Sequence, residues 1–371
     1  MSVQGAANPA APPDSSVSAD RGVSAVVRNE LRISVVVPVR NEGPFIARTL
    51  QALIDQDYPS QRVEILVVDG DSDDDTPAIV SQWSQLHPQI QLLRNPRRWS
   101  SSARNIGIRH AQGDVVLVVD GHCQLSDRRY LANLVAAFER WGVDAVGRPQ
   151  PQDVKGASVL QRSIAAARES RLGHHPDSYI YSGTEQLVPA HSVAVAYRRS
   201  VFDRIGLFDE RFDACEDVEL NHRFDRSGLR CVLAPSITLK YHPRSTLRGL
   251  YYQLYRYGRG RARLMFKHPD TFSWKTFLPA LFVLGLLMTP TVAWWPAPLA
   301  RLCGALWLIY GATVAATSAV LAARHRSWGM LVRLPLVFFT IHLAAGSGLL
   351  RELLTQVWRP FGWRSADGST G

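Results

Sequence analysis

Residues 63–76 read VEILVVDGDSDDDT. A short apolar, β-branched run stops at Asp69, turns through Gly70 and passes into a series of carboxylates, with Pro77 just beyond. The run has the composition and length of a fully buried strand. The stretch that follows, DSDDDTPAIVSQWSQLH, reads as a helix whose acidic first turn suits the positive end of the dipole and whose proline stands near its start. The unit is strand then helix, with polar groups delivered at the strand's carboxyl end.

The unit recurs on both sides. ISVVVPVRNE is a strand from Ile33 that ends near Pro38, and GPFIARTLQALIDQDYP places Phe45, Ile46, Leu50, Leu53 and Ile54 at helical spacing before Pro59. IQLLRNP is a third strand, SSARNIGIRHAQG a helix and GDVVLVVDG a fourth strand. This alternation predicts a mainly parallel sheet with helices on both faces, and in such sheets the ligand lies beyond the carboxyl ends of the strands. Those ends carry Arg40, Asn41 and Glu42, then Asp69 and Asp71, then Asp120 and His122.

Any one carboxylate at that rim reads equally as a helix cap, as Asp71 or Asp73 would, and D-G-H after a strand reads equally as a turn. Acidic groups gathered on one edge repel unless a cation or a hydrogen-bonding ligand joins them. That favours Asp120 and His122 as metal ligands. Further on, EDVELNHRFDRSG reads as a helix with Glu216 and Asp217 at its start and with Val218, Leu220 and Phe224 toward a core. The stretch from Pro149 to Pro189 is poorly patterned; His174, His175 and Tyr179 read there as a surface loop or as acceptor contacts.

The chain of 371 residues can bury a sizeable core. A net charge of +10 beside a hydrophobic content of 46% points to an anionic partner rather than a disordered basic tail. Cys123, Cys215, Cys231 and Cys303 show no C-x-x-C spacing, which supports neither a zinc ribbon nor a disulfide scaffold and favours a reducing compartment. The first thirty residues are rich in Ala, Pro, Ser and Gly and read as a disordered tail without a signal-peptide core.

From Thr276 the text becomes TFLPALFVLGLLMTPTVAWW, then LCGALWLIYGATVAATSAVLAA, then the shorter LPLVFFTIHLAAGSGLL. A helix of about 20 apolar residues crosses the hydrocarbon layer, so these are read as membrane spans, the third the weakest because of Arg333 and His342. RSTLRGLYYQLYRYGRGRARLMFKH interleaves Arg with aromatic and aliphatic residues, as an interfacial segment on anionic headgroups would. It places the folded part on the cytoplasmic side. Nucleic acid is not expected, because the acidic rim repels phosphates.

VVVPVRNE, EILVVDGDSDDDT, SSARNIGIRHAQGD, VVDGHC, AYRRSVFDRIGLFDERFDACEDVELNHRF and YHPRSTLRGLYYQLYRYGRGRAR, in this order, resemble the family 2 inverting glycosyltransferases, in particular the succinoglycan-biosynthesis glucosyltransferase type. The resemblance implies an α/β GT-A domain, Rossmann-like, followed by C-terminal transmembrane helices. It implies a nucleotide site on Pro38, Arg40, Glu42, Asp69 (toward uracil), Asp71, Arg104, Asn105 and Asp120. The family's metal-binding D-x-D becomes Asp120 and His122 here, a nitrogen ligand that leans the divalent cation from Mg²⁺ toward Mn²⁺. Asp217 falls on the catalytic base and Glu216 on the residue that supports the acceptor site. Gln253, Arg256 and Tyr257 fall on the family's Q-x-x-R-W, an acceptor or diphosphate motif, with Tyr in place of Trp.

The organisation expected is a tail at 1–30, a catalytic domain at 31–243, a basic amphipathic interfacial segment at 244–275, two to three transmembrane helices at 276–353 and a tail at 354–371. The expected activity is transfer of a hexose, glucose first, from a UDP-sugar to a lipid-linked acceptor in exopolysaccharide or glycoconjugate synthesis. The enzyme would be a multi-pass protein of the inner (plasma) membrane with its catalytic domain in the cytoplasm. The alternatives are a glycolipid-forming transferase and a non-catalytic membrane-tethered scaffold that binds nucleotide sugars.

Overall fold

The structure, a computed structural model, describes residues 31–358 apart from Gln124, Ser126, residues 174–178 and Lys240. The expected N-terminal tail, residues 359–371 of the expected C-terminal tail, His174 and His175 lie outside the described residues, while residues 354–358 continue the last helix instead of starting a tail.

In chain order the elements are β1 (Ile33–Val39), α1 (Gly43–Ile54), β2 (Val63–Asp69), α2 (Thr76–Leu86), β3 (Ile90–Arg94), α3 (Ser100–His110), β4 (Val115–Val118), α4 (Tyr130–Trp141) and β5 (Ala145–Gly147). There follow α5 (Val159–Glu169), β6 (Gln186–Leu187), β7 (Ala194–Arg198), α6 (Ser200–Ile205), α7 (Glu216–Arg226) and β8 (Cys231–Leu233). The C-terminal part is helical: α8 (Leu247–Lys267), α9 (Trp274–Met288), α10 (Ala297–Arg324) and α11 (Trp328–Trp358).

One eight-stranded sheet runs in the order β3-β2-β1-β4-β7-β5-β8-β6. The first four strands are parallel to one another, as expected. Beyond β4 the sheet is mixed: β7 is antiparallel to both β4 and β5, β8 is parallel to β5, and β6 is antiparallel to β8. Both faces are covered, which is why β1 and β2 are apolar without alternation. Val35 and Val37 look toward α1, α2 and α4 with Ile46, Leu50, Val80 and Leu134. Val36 and Leu66 look toward α3, α6 and α7 with Ile108, Phe202, Leu220 and Phe224.

Two local expectations change. Residues 71–75 precede α2 rather than forming its first turn, and Pro77 lies in the first turn instead. A helix begun at Asp71 would carry Pro77 in its interior, where the missing N–H and the ring break the hydrogen-bond ladder. Phe45 is 48% exposed and does not join the core with Ile46 and Leu50.

Three C-terminal stretches, Trp274–Trp294, Ala297–Arg324 and Trp328–Gln356, are long and apolar enough to cross a membrane. The buried share of their apolar windows rises from 11% to 22% to 39%, so the third, expected to be the weakest, is the inner helix of the group. α11 lies along α8, where side chains are absent at the crossing: a Cβ on Gly348 would sit 2.0 Å from Tyr255 O, and one on Gly258 2.2 Å from Ala345 O. Small residues of this kind let helix backbones meet. Buried Glu352 of α11 pairs with Arg259 and Arg263 of α8, and Arg263 also holds Asp213, three residues before α7.

Candidate active site

The carboxyl ends of β2, β1 and β4 are neighbours, and their loops are laced together. Asn41 adopts a left-handed backbone (φ 56°). Its N–H donates to Ser72 Oγ (2.9 Å), and its side-chain oxygen accepts from Asp73 N (2.8 Å). Asp69 is 6% exposed and accepts from Ser72 Oγ at 2.6 Å and Ser72 N at 3.1 Å. Asp74 ties the same loop to α1 through Gly43 N (2.9 Å) and to the start of α2 through Thr76 N (3.0 Å). Asp71 turns outward to Arg98 and Arg94; Arg98 first, then Arg94, holds its carboxyl below the usual range. Arg40 is exposed at the rim and Pro38 partly buried.

The turn after β4 is held closely. Gly121 packs where a Cβ would meet Val39 Cγ1 at 2.7 Å and Glu42 Cγ at 3.2 Å. Thr49 of α1, fully buried, donates to Gly121 O (2.8 Å) and lies 3.1 Å from Cys123 O. His122 Nδ1 lies 2.9 Å from Glu42 Oε1. That hydrogen bond to Glu42, against the opposing effect of burial, raises the His122 pKa. It also directs Nε2 away from Glu42. A carboxylate behind a histidine is the usual support of a metal-ligating imidazole, and the half-exposed Asp120 carboxylate stands on the same turn. The two residues fit a divalent cation.

Arg104 joins this turn to the start of α7. Its Nη1 is 3.3 Å from Glu216 Oε1, its Nη2 is 4.0 Å from Asp120 Oδ1, and the guanidinium lies 5.3 Å from the Phe208 ring centre. Burial pulls its pKa down, but the carboxylates of Glu216, Asp120 and Asp217 outweigh that and hold it above its ordinary value. Its Nε is buried with no hydrogen-bond partner. Burial pushes the Glu216 carboxyl up, opposed by Arg104. Asp217, the next residue, is exposed, so the pair divides into a buried anchor and an open carboxylate. Cys215 before them is in the left-handed region (φ 63°), which turns the chain sharply into the helix.

Asn105, expected at the nucleotide site, has its side chain buried and bonded within the protein. Its side chain donates to Phe208 O and Glu210 Oε1, each at 2.9 Å, and accepts from Phe208 N at 2.9 Å. It positions the loop that carries Phe208 under Arg104. Of the residues in the Q-x-x-R-W-like motif, Arg256 bonds to Asp213 O. Gln253 and Tyr257 come together, with Gln253 Nε2 3.4 Å from Tyr257 Oη and 3.1 Å from Tyr241 Oη. The backbone oxygen of Tyr257 is 3.8 Å from Cys215 Sγ, so this cluster adjoins Glu216 and Asp217.

Sequence reasoning did not identify Arg148, Arg168 or Arg244. Arg148 is 5% exposed behind the β4 turn, with its Nη1 3.3 Å from Tyr130 Oη and its Nε unpartnered. It follows a strand of three residues, too short to announce itself. Arg168 and Arg244 both reach Gln253, a meeting visible only once α5 and α8 are packed. For Arg168 the available signal was a basic residue in a helix with no acidic residue three or four places away.

Residues 34–206 match the family model described as Glycosyl transferase family 2. The chain is 29% identical over 328 residues to the succinoglycan biosynthesis protein ExoA of Rhizobium meliloti, covering 86% of this chain and 94% of that protein. It is 23% identical over 333 residues to the dolichyl N-acetyl-alpha-D-glucosaminyl phosphate 3-beta-D-2,3-diacetamido-2,3-dideoxy-beta-D-glucuronosyltransferase of Methanococcus voltae, covering 87% and 97%. Among solved structures, a mannosyltransferase of Pyrobaculum calidifontis, in complex with GDP-Man and Mn²⁺, has the same fold. It aligns with TM-score 0.56 and 24% identity over 88% of each chain.

Proposed function

We propose, from the match of residues 34–206 to Glycosyl transferase family 2 and the likeness to the succinoglycan biosynthesis protein, that the chain is a glycosyltransferase of this family and moves a hexose, glucose first, from a UDP-sugar to a lipid-linked acceptor at the cytoplasmic face of the plasma membrane, with inversion at the anomeric carbon. The observation that carries this reading is Arg104, buried between Asp120 and Glu216, with Asp217 open beside it. That places one cation between the turn proposed to meet the diphosphate and the helix proposed to meet the acceptor.

Asp69 and the laced loops after β1 and β2 hold the nucleoside, with Arg40, exposed at the rim, beside it. Asp120 and His122 hold the divalent cation, which supplies positive charge to the diphosphate when bound. Glu42 fixes the orientation of His122. Asp217 takes the proton of the attacking acceptor hydroxyl, a task an exposed carboxylate within hydrogen-bond reach performs well. Arg104 faces the negative charge that develops on the departing diphosphate, in a site shielded from water where such stabilisation counts most. Glu216 keeps Arg104 in place without itself reaching solvent.

The membrane side of the reading rests on α8 to α11. α8 brings Gln253 and Tyr257 beside the start of α7 and lies against α11, so an acceptor anchored in the bilayer meets Asp217 from that side. The names of the relatives support the same class: one takes part in succinoglycan biosynthesis and one acts on a dolichyl-linked sugar phosphate.

The test is transfer of radiolabelled hexose from a panel of UDP-sugars and GDP-mannose into organic-extractable lipid by native membranes. Label from one UDP-hexose in the lipid phase supports the proposal; label from GDP-mannose alone would replace the donor, and label in neither would remove the lipid acceptor.

A further inference from the structure

Three segments bring their polar side chains to one point on the membrane-facing side of the site. Arg168 of α5 has Nη1 3.5 Å from Gln253 Oε1, and Arg244, in the loop before α8, has Nε 3.4 Å from the same oxygen. The Gln253 amide nitrogen is spent on Tyr241 Oη and Tyr257 Oη. Arg168 also hydrogen-bonds Tyr181. Two guanidinium groups thus share one neutral oxygen, ringed by phenols.

Among the described residues, neither Arg168 nor Arg244 has a carboxylate within ion-pairing distance, whereas Arg94, Arg97, Arg98, Arg104, Arg259 and Arg263 all do. Arg168 Nε is buried and has no partner at all. Two like charges converging without a counter-ion repel, and the economical way to relieve them is an anion between them. Guanidinium forks with neighbouring hydroxyls match a phosphate.

The place of the cluster says whose phosphate it is. The loop bearing Arg244 is fastened to α5 by Gln161 Nε2 to Pro243 O (3.3 Å) and to the segment before α5 by Asp153 N to Tyr241 O (2.9 Å). α5 and α8 both pack on α11. Tyr257 adjoins Cys215, the residue before Glu216 and Asp217. The cluster therefore lies between the start of α7 and the apolar helices, on the side from which a bilayer-anchored acceptor is proposed to meet Asp217, while Asp120, His122 and Arg104 are the groups proposed for the donor's diphosphate.

We propose that Arg168 and Arg244, converging on Gln253 with Tyr241 and Tyr257, bind a phosphate group of the acceptor, so that the acceptor is a phosphate-bearing lipid rather than a neutral glycolipid. This rests on the transferase reading above for its purpose, not for its binding chemistry.

The test is binding of a polyprenyl monophosphate and of the same polyprenol without phosphate to the purified full-length protein in detergent, followed by tryptophan fluorescence, beside UDP binding by calorimetry. The phosphate form should bind at least about tenfold more tightly than the alcohol, the worth of one or two charge-assisted hydrogen bonds. Arg168→Gln and Arg244→Gln should each erase most of that difference and leave the UDP affinity unchanged. Arg168→Lys and Arg244→Lys, which keep the charge and guard against a folding defect, should retain part of it. Equal binding of phosphate and alcohol by the wild type would overturn the proposal. So would weakened UDP binding with unchanged lipid binding in the Gln variants, which would hand the arginines to the donor. Phosphate discrimination without any sugar transfer would sink the transferase reading and leave this site standing.

Discussion

Arg104 Nη1 lies 3.3 Å from Glu216 Oε1, while its other terminal nitrogen faces Asp120 Oδ1 at 4.0 Å, so one buried side chain spans from the turn after β4 to the N-terminus of α7. Asp217, one residue beyond Glu216, is exposed. The pair has two jobs in two environments, and single substitutions separate them. Asp217→Asn should lower turnover by about 10²–10⁴-fold, the usual worth of a positioned base, with UDP affinity unchanged. Glu216→Gln should act through Arg104 instead, weakening UDP affinity as well as turnover. Steady-state kinetics with calorimetry on the same samples checks both.

Glu42 holds His122 Nδ1 at 2.9 Å. Removing such a carboxylate typically costs 10- to about 100-fold in metal affinity. Glu42→Gln should therefore weaken Mn²⁺ binding to that extent, and Asp120→Ala should abolish it, as read by Mn²⁺ titration in the presence of UDP. Unaltered Mn²⁺ affinity in both would take the cation away from this turn.

A side chain at Gly121 would press on Val39 and Glu42, the nearest atom at 2.7 Å. Gly121→Ala should cost about 1–3 kcal/mol of stability, as overpacking does, and displace the turn that carries Asp120 and His122. Thermal denaturation should show a lowered Tm, and Mn²⁺ affinity should fall with it. A variant with wild-type Tm would mean that the turn adapts freely.

Glu219 of α7 is fully buried and is held by Arg223, Lys267 and His268 at 2.7–2.9 Å. Burial alone would push its carboxyl up, but the bonds to Arg223, Lys267 and His268 outweigh it and hold it below the ordinary value. Asp209, also bonded to Lys267, is held well below its own for a similar reason: burial raises it, and Arg211 and Lys267 lower it further. A carboxylate lowered on folding stabilises fully above its unfolded pKa, about 4.3 for Glu, and that contribution disappears as pH falls through the folded value. Stability should thus fall steeply below about pH 4. Glu219→Gln should lose about 3–5 kcal/mol near neutral pH, having left Arg223 without its carboxylate and Lys267 with Asp209 alone, and show a shallower acid slope. Urea denaturation across pH measures both.

The rim was legible because each of β1, β2 and β4 is a run of Val, Ile and Leu that stops at a polar residue, and parallel topology puts those stops on one edge. Asp69, Asp120, His122 and Glu42 follow from that alone. The acidic run at 71–75 was misread as helix because dipole complementarity is weaker than the position of Pro77. The mixed half of the sheet escaped notice since β5, β6 and β8 are two or three residues long. Arg104 could be read only as part of a motif; its bridging role depends on how α3 and α7 pack. Arg168 and Arg244 meet across separate segments, which no local pattern encodes.

The most direct test of the central claim is UDP release by the purified protein, or by native membranes, across a panel of UDP-hexoses with Mn²⁺, Mg²⁺ or chelator, with and without a polyprenyl-phosphate lipid extract. Release from one UDP-hexose that requires the cation, rises with the lipid and vanishes in Asp217→Asn is the result expected. No release from any UDP-sugar, together with no UDP binding, would contradict the account and leave a membrane-bound scaffold in place of a transferase.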